Sequence, residues 1–258
     1  MRALEAYEKV LKIQEETGNT FMLTSALNNI GIIYNQQGNI PKALEFYLKS
    51  LKILEQINDK ASMGRLLINI GYIYAKQPDE AKAHEFYQRA YKICQEINDK
   101  AGTASALVGL GFINHNKGIN GESIKYYEAA LKIQEEIGVK QGIIETMNNI
   151  GTLYRDTINM DKAIHYFTKC IEMSREIGDK RNACNALCNL GTSYLLIRNY
   201  KKAEEFGLQA LPLSQEIGFP QNISFSAELL FKVYERTHEL TKAYPMYKLF
   251  VRMRDSIN

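Results

Sequence analysis

Apolar and small side chains recur along this chain with the spacing of helical faces. From Leu27 to Tyr34 they follow the i, i+3, i+4, i+7 pattern of one helix face, and a second run from Ala43 to Leu54 does the same. Gly38 and Asn39 separate the two runs; Gly suits the end of a helix and Asn the start of the next. Each unit of this pattern therefore predicts two helices joined by a short turn.

The whole pattern repeats every forty residues without drift. Its small residue recurs at Ala3, Ala43, Ala83, Ser123, Ala163, Ala203 and Ala243. A period of this length is the signature of a solenoid or array. We predict a single solenoid domain with residues 1–18 as the second helix of a truncated repeat, full repeats at 19–58, 59–98, 99–138, 139–178 and 179–218, and a degenerate repeat at 219–258.

The turns and the helix interiors add detail. We expect positive φ where the second helices end, at Gly18, Asn58, Asn98, Gly138, Gly178 and Gly218, and helix caps at Asp59, Asp99 and Asp179. Glycine inside a helix costs roughly 0.5–1 kcal/mol relative to alanine, so Gly31 should permit close helix approach, facing Ala43 with Tyr47 packed over the contact. We expect Pro245 to interrupt the last helix early.

One set of positions resembles a known repeat family. The pattern Leu27, Gly31, Tyr34, Ala43, Tyr47 and Ser50 resembles the tetratricopeptide repeat. The forty-residue unit is similar to the extended repeats of kinesin light chains, spindle-orientation adaptors and bacterial regulators of the Rap type. This resemblance implies an all-α, right-handed superhelical solenoid of antiparallel helix pairs, whose first helices line a concave groove. It also implies a non-enzymatic module that binds a protein or peptide segment, and we predict that it forms part of a larger bacterial regulatory protein.

A polar series lies on the first helices of the repeats. One position, which we call the ladder position, reads Asn29, Asn69, Gly109, Asn149 and Asn189. Asparagine is a mediocre helix former, so its repeated use needs a reason. In one interpretation the carboxamides bind the backbone of an extended peptide. In the other they bond across neighbouring first helices and stabilise the solenoid, and both could hold.

The side chains around the ladder complete a candidate site. The predicted peptide-binding residues are Asn29, Arg65, Asn69, Tyr72, Lys76, Phe112, Asn149, Arg155 and Asn189. In the clamp subtype of the family a lysine and two asparagines hold a terminal carboxylate. Here the clamp-lysine position carries Asn28, Ile68, Val108, Asn148 and Cys188, so we do not expect a carboxylate clamp.

The third full repeat departs from the pattern. Asn114 replaces the recurrent tyrosine, Ser123 replaces alanine, and Gly109 interrupts the ladder. Neutral drift is one explanation. The other is that this repeat bends or makes room for a partner side chain against Phe112.

No motif predicts catalysis, a metal or a cofactor. His84 and Glu85 begin a zincin-like motif, but Gln88 stands where the second histidine is needed. Cys184 and Cys188 could offer two thiolates, but no further ligand at usual spacing completes a zinc site, so packing is the favoured interpretation. We therefore predict no enzyme activity, no catalytic residues, no metal and no cofactor.

Charge and composition exclude two classes of partner. The chain carries 32 Lys and Arg against 29 Asp and Glu, interleaved along every repeat, so no nucleic-acid footprint is expected. No stretch approaches the roughly 18 uninterrupted apolar residues of a membrane span, so none is expected. The cysteines show no disulfide framework, which favours a reducing compartment. We predict a cytoplasmic protein, or a periplasmic one if a signal sequence was removed.

The two ends suggest further hypotheses. The chain begins on a second helix with no first helix before it, so Leu4, Tyr7 and Leu11 would form an apolar patch able to drive self-association. The other end resembles the junction at which bacterial tetratricopeptide sensors pass into an output domain. The alternative function is accordingly a sensory or dimerisation domain of a histidine kinase, cyclase or transcription regulator, without tight peptide binding of its own.

Overall fold

The computed structural model describes Tyr7, Leu11, Ile13, residues 20–77 and residues 79–256, and the regular structure in this part of the chain is entirely α-helical. From residue 20 onward the helices are α1 (Thr20–Gln36), α2 (Ile40–Ile57), α3 (Lys60–Lys76), α4 (Glu80–Glu96), α5 (Lys100–Asn116), α6 (Asn120–Ile137), α7 (Lys140–Asp156), α8 (Met160–Glu176), α9 (Lys180–Leu196), α10 (Tyr200–Ile217), α11 (Pro220–Arg236) and α12 (Leu240–Asp255). The predicted all-α fold of two helices per forty residues is confirmed.

Internal contacts divide the chain into two compact units, Met1–Ile137 and Gly138–Asn258. Unit 1 contains α1 to α6 and unit 2 contains α7 to α12. In each unit, consecutive helices pack as antiparallel pairs, and each pair packs on the next. First helices also contact each other, α3 with α5 in unit 1, and α9 with both α7 and α11 in unit 2. The prediction of one continuous domain stays a prediction.

The turn chemistry follows the sequence. Positive φ is found at the predicted helix ends Asn58, Asn98, Gly138, Gly178 and Gly218, whereas Gly18 lies outside the described residues. The Asp59 carboxylate accepts a hydrogen bond from the Ser62 backbone N–H at 3.1 Å, and Asp99 and Asp179 cap their helices in the same way. These bonds satisfy donors that a helix start leaves unpaired.

An aromatic ring packs on the helical glycine of each early repeat. A Cβ added at Gly31 would lie 2.5 Å from Cδ1 of Tyr47, which is 2% exposed, so only glycine leaves room for the ring. The same arrangement recurs between Gly111 and Tyr127 and, in unit 2, between Gly151 and Phe167. The predicted close helix approach under Tyr47 is confirmed. We call residues 47, 87, 127, 167 and 207 the ring position.

The unusual residues of the third repeat are accommodated locally. The Asn114 carboxamide donates to the Leu110 carbonyl oxygen at 2.8 Å, and the Ser123 hydroxyl donates to the Gly111 carbonyl oxygen at 2.8 Å. In other repeats a lysine lies over the recurrent tyrosine, as Lys42 does over Tyr34 at 5.0 Å from the ring centroid. Asn114 and Glu122 replace both members of that pair together. Despite these replacements, helix α5 is unbroken from Lys100 to Asn116.

The expectation that Pro245 ends the last helix early is wrong. Helix α12 continues through Pro245 to Asp255. Proline in a helix removes one backbone donor and can bend the helix. Packing compensates here, because Ala243 and Met246 contact a core cluster that includes Leu230 and Tyr234 of α11.

The N-terminal hypothesis lies largely outside the described residues. Leu4 and most of residues 1–18 belong to that part of the chain. Tyr7 and Leu11 are helical and partly buried, and they pack against the main core cluster of unit 1. Self-association through this segment stays a prediction.

Ile158 holds a backbone conformation that β-branched residues rarely adopt. Its φ is +63° and its side chain is 81% exposed, so the strain has no compensating burial. We expect Ile158→Gly to raise the free energy of unfolding by about 1 kcal/mol, because glycine adopts this conformation without the Cβ clash. Urea denaturation followed by circular dichroism measures the change.

The matched control is Gly118, which has φ +72° forty residues earlier. Gly118→Ile should lower the free energy of unfolding by a similar amount. If neither variant shifts the unfolding midpoint, backbone strain at these turns is unimportant.

Candidate functional site

The ladder asparagines of unit 1 are half-buried, and their carboxamides form no hydrogen bond with the described residues. Asn29 lies on α1 and Asn69 at the equivalent point of α3. Neither side chain forms a hydrogen bond with another residue in the described part of the chain. Each carboxamide therefore keeps two donors and an acceptor for solvent or a ligand.

A cavity of about 800 Å³ lies beside these residues. Its walls come from α1, α2, α3 and the start of α5, all within unit 1. Among its lining side chains are Phe21, Ser25, Asn28, Asn29, Arg65 and Asn69. The Asn28 carboxamide oxygen is buried and has no hydrogen-bond partner among the described residues. An unsatisfied buried acceptor is costly, so this wall is suited to a ligand that brings an N–H or O–H donor.

Aromatic and basic side chains extend this surface along α3 and α5. Tyr72 is 45% exposed and Phe112 is 39% exposed, at equivalent points of the two neighbouring helices. The Lys76 ammonium lies 4.7 Å from the centroid of the Tyr72 ring, a cation–π contact that holds the ring in place. We call the surface formed by Asn28, Asn29, Arg65, Asn69, Tyr72, Lys76 and Phe112 the amide face.

The predicted residues of unit 2 are arranged differently. Asn189 is 8% exposed; its carboxamide donates to the Asn148 side-chain oxygen at 3.0 Å and accepts from the Arg155 guanidinium at 2.9 Å. These bonds join α7 to α9, as the structural interpretation of the ladder expects. Asn149 is half-buried and forms no side-chain hydrogen bond with the described residues. The two interpretations of the ladder thus apply to different members of it.

Sequence reasoning missed a second polar cavity, in unit 2, of about 510 Å³. The Asn222 side chain donates to the Asn185 carboxamide oxygen at 2.8 Å in its wall, which joins α11 to α9. The lining residues are Asn148, Arg181, Asn185, Asn189, Gln221, Asn222, Ser224, Phe225 and Glu228. The signal was the cluster of amide residues one to two turns before the ladder position in these repeats. These amides bond to each other, so they stabilise unit 2.

The break in the ladder at Gly109 has a packing cause. A Cβ added at Gly109 would lie 2.5 Å from both Cδ1 and Cζ of Tyr87. The space beside Gly109 is therefore taken by a ring from α4. The hypothesis that Gly109 leaves room for a partner side chain is wrong for that space, because a buried ring fills it. Neutral drift at Gly109 stays a hypothesis.

The described residues show no group of three or more His, Cys, Asp or Glu side chains that could hold a metal ion. The four cysteines are free and buried. The Cys184 thiol donates to the Ala210 carbonyl oxygen at 3.7 Å, in keeping with a packing role. Among the described helices, none combines the length and the apolar character that crossing a bilayer demands.

Comparison with known proteins identifies the repeat. A profile of the tetratricopeptide repeat matches residues 2–56, 21–96, 102–176 and 142–216. No curated protein matches the chain in sequence. The fold resembles that of a STAND signal transduction ATPase with a tetratricopeptide repeat sensor from Pyrococcus horikoshii, with a TM-score of 0.71 and 21% identity over 98% of this chain and 42% of that one. This chain thus matches less than half of that protein.

Two further solved structures have similar folds. Aspartyl phosphate phosphatase F from Bacillus subtilis has a TM-score of 0.71 and 15% identity over 95% of this chain and 74% of that one. A Rap protein complexed with competence and sporulation factor has a TM-score of 0.66 and 13% identity over 91% of this chain and 80% of that one. Because one of them is a phosphatase, the fold alone leaves the absence of enzyme activity a prediction. The repeat matches, together with the helix pairs and the glycine-ring packing, show that the chain belongs to the tetratricopeptide repeat family, whose repeats form protein-interaction modules.

Proposed function

We propose that the amide face of unit 1 binds an extended peptide segment of a partner protein. The observation that carries the proposal is the buried Asn28 oxygen without a partner, beside a cavity of about 800 Å³ whose wall also holds the free carboxamides of Asn29 and Asn69. An extended backbone presents N–H and C=O groups in alternation, and a carboxamide matches both. A peptide therefore complements this wall better than a ligand with acceptors alone.

The remaining side chains of the face supply affinity and selectivity. Tyr72 and Phe112 offer exposed aromatic surface, and Arg65 adds a cation at the cavity wall. The Rap relative with a similar fold is complexed with competence and sporulation factor, which is in keeping with a ligand on such a scaffold. A segment with apolar side chains and an acidic residue is the chemistry that this face favours.

Magnitudes indicate which groups dominate binding. Each net hydrogen bond contributes about 0.5–1.5 kcal/mol, and the cost of ordering a peptide is of similar size to the sum of a few such bonds. Buried aromatic anchors contribute about 2 kcal/mol or more each where they act as hot spots. We expect dissociation constants of about micromolar, with Tyr72 and Phe112 as the main anchors.

The test compares wild type with a variant of the amide face. An array of random twelve-residue peptides is probed with the purified chain, and the strongest binder is labelled with fluorescein for titration by fluorescence polarisation. We expect Asn69→Ala/Tyr72→Ala/Phe112→Ala to weaken binding of that peptide at least about tenfold, since both anchors and one amide are lost. Equal binding by wild type and variant would remove the proposed site.

Asn189→Ala is the matched control for asparagine loss. It removes the bonds to Asn148 and Arg155 in unit 2, so we expect a lower free energy of unfolding with unchanged affinity for the selected peptide. If Asn189→Ala weakened binding as much as the triple variant does, the unit 1 location would be untenable.

A sensory role is the second candidate. The STAND relative carries a tetratricopeptide repeat sensor, and a sensor domain of that kind could transmit association to an attached output domain without binding a peptide tightly itself. Absence of binding by wild type to any peptide of the array would favour this alternative over the first proposal.

A further inference from the structure

Tyr87 is placed differently from the other residues at the ring position. The rings of Tyr47 and Tyr127 lie tightly on the glycine of their own helix pair, where an added Cβ would meet ring carbons at 2.5 and 2.7 Å. For Tyr87 the corresponding distance, at Gly71, is 3.0 Å. Its tight contact is instead with Gly109, in the first helix of the next repeat. The ring therefore passes between α3 and α5.

One edge of the ring, from Cδ1 to the Cζ atom that carries the hydroxyl, lies at the ladder position. Cζ of Tyr87 would lie 2.5 Å from a Cβ at Gly109, so the phenol stands where an asparagine side chain would begin. Tyr87 keeps 5% of its surface exposed, whereas Tyr127 is fully buried and its hydroxyl is buried without a partner. The Tyr87 hydroxyl forms no hydrogen bond with the described residues.

The chemistry of the phenol fits the role of a donor. Burial raises the pKa of Tyr87 above its ordinary value, and the neighbouring Tyr72 adds to the shift. The hydroxyl is therefore protonated across the working pH range and keeps its proton for an acceptor. Tyr72 is itself part of the amide face, so both phenols belong to one neighbourhood.

We propose that Tyr87 is a binding residue of the amide face, and that its hydroxyl replaces the asparagine missing at position 109 by donating a hydrogen bond to a backbone carbonyl oxygen of the bound segment. The proposal rests on the function proposed above. It means that the ladder of unit 1 has three members, Asn29, Asn69 and Tyr87, and that the third is supplied by a second helix.

The experiment uses the full chain and the fluorescein-labelled peptide selected from the random array. Tyr87→Phe removes only the hydroxyl, so we expect the dissociation constant to rise about 3- to 10-fold, the effect of one lost neutral hydrogen bond. Tyr127→Phe is the matched control: we expect unchanged affinity and a higher melting temperature, since it removes a buried hydroxyl without a partner.

A second measurement separates binding from packing. Each backbone amide of the peptide is replaced in turn by an ester, whose carbonyl oxygen is a weaker acceptor. At one position of the peptide, the ester should weaken binding to wild type but leave binding to Tyr87→Phe unchanged. Such coupling is expected of groups in direct contact. A packing effect of the ring would not produce this position-specific loss.

The outcomes distinguish the two proposals. If Asn69→Ala weakens binding and Tyr87→Phe does not, the assignment of Tyr87 is overturned and the peptide site stands. If wild type binds no peptide of the array, both are overturned.

Discussion

Leu229→Asn should be among the most destabilising single substitutions in unit 2, lowering the free energy of unfolding by about 3–5 kcal/mol. Leu229 lies at the ladder position of the last repeat and is 2% exposed. Its Cδ2 atom would be 2.5 Å from a Cβ at Gly191 and 3.5 Å from one at Gly207. In earlier repeats an aromatic side chain at the ring position takes this space. Here the ring position is Gly207, and Leu229 fills the space instead. Asparagine would leave a void there and bury an amide.

A second substitution tests that explanation. Gly207→Phe alone should also destabilise, because a Cβ at Gly207 meets Cδ2 of Leu230 at 2.7 Å. Together, Leu229→Asn and Gly207→Phe recreate the combination found at Phe167 and Asn189. We expect the double variant to be more stable than the sum of the single effects by about 1 kcal/mol or more. Urea denaturation followed by circular dichroism gives the three values.

Leu208→Asn is the control for the polar substitution itself. Leu208 is 51% exposed on α10, so we expect a change within about 0.5 kcal/mol. If the two single effects simply add in the double variant, the explanation that Leu229 takes the place of the aromatic ring is refuted.

Gly109→Ala should lower the free energy of unfolding by about 1–3 kcal/mol, although alanine is the better helix former. Its Cβ would overlap the ring of Tyr87, a buried group with little freedom to move. Helix propensity alone predicts the opposite sign, a gain of about 1 kcal/mol. The sign of the change in the urea midpoint therefore decides between steric overlap and propensity.

Gly121→Ala in α6 is the matched control, since no heavy atom lies within 4 Å of a Cβ there. We expect it to be neutral or slightly stabilising. Tyr87→Leu should partly suppress the loss at Gly109→Ala, because a smaller side chain vacates the overlap. A stabilising Gly109→Ala would mean that the ring relaxes freely.

Local chemistry made much of the fold predictable. The glycine at position 31 needed a compensating close contact, and Tyr47 provides it. The caps at Asp59 and Asp99 followed from side chains that can bond a backbone N–H three residues later. The caps concern residues whose separation is set by helix geometry alone, and Gly31 and Tyr47 lie on two helices that a short turn joins. Local inference from one sequence was therefore sufficient for both.

The candidate site was less predictable, because its residues act across helices. Asn189 and Arg155 are 34 residues apart, and their bond depends on how α7 packs on α9. The asparagine pattern is the same at Asn69, which remains free, so the pattern could not separate a binding role from a structural one. The tilt of the Tyr87 ring toward Gly109 is likewise a property of packing, and its only trace in the sequence was the missing asparagine.

The contact of Tyr87 with Gly109 has a consequence for how such arrays can be rearranged. A cut at the natural repeat boundary, residue 98, would place Tyr87 in one fragment and Gly109 in the other. Joining either fragment to a repeat with an ordinary partner would create an overlap or a void. Leu229 and Gly207 lie on either side of the repeat boundary at residue 218 in unit 2. Engineered or evolutionary recombination should therefore succeed less often with a junction at residue 98 or 218 than at residue 58 or 178, where Tyr47 and Phe167 pack on a glycine of their own helix pair.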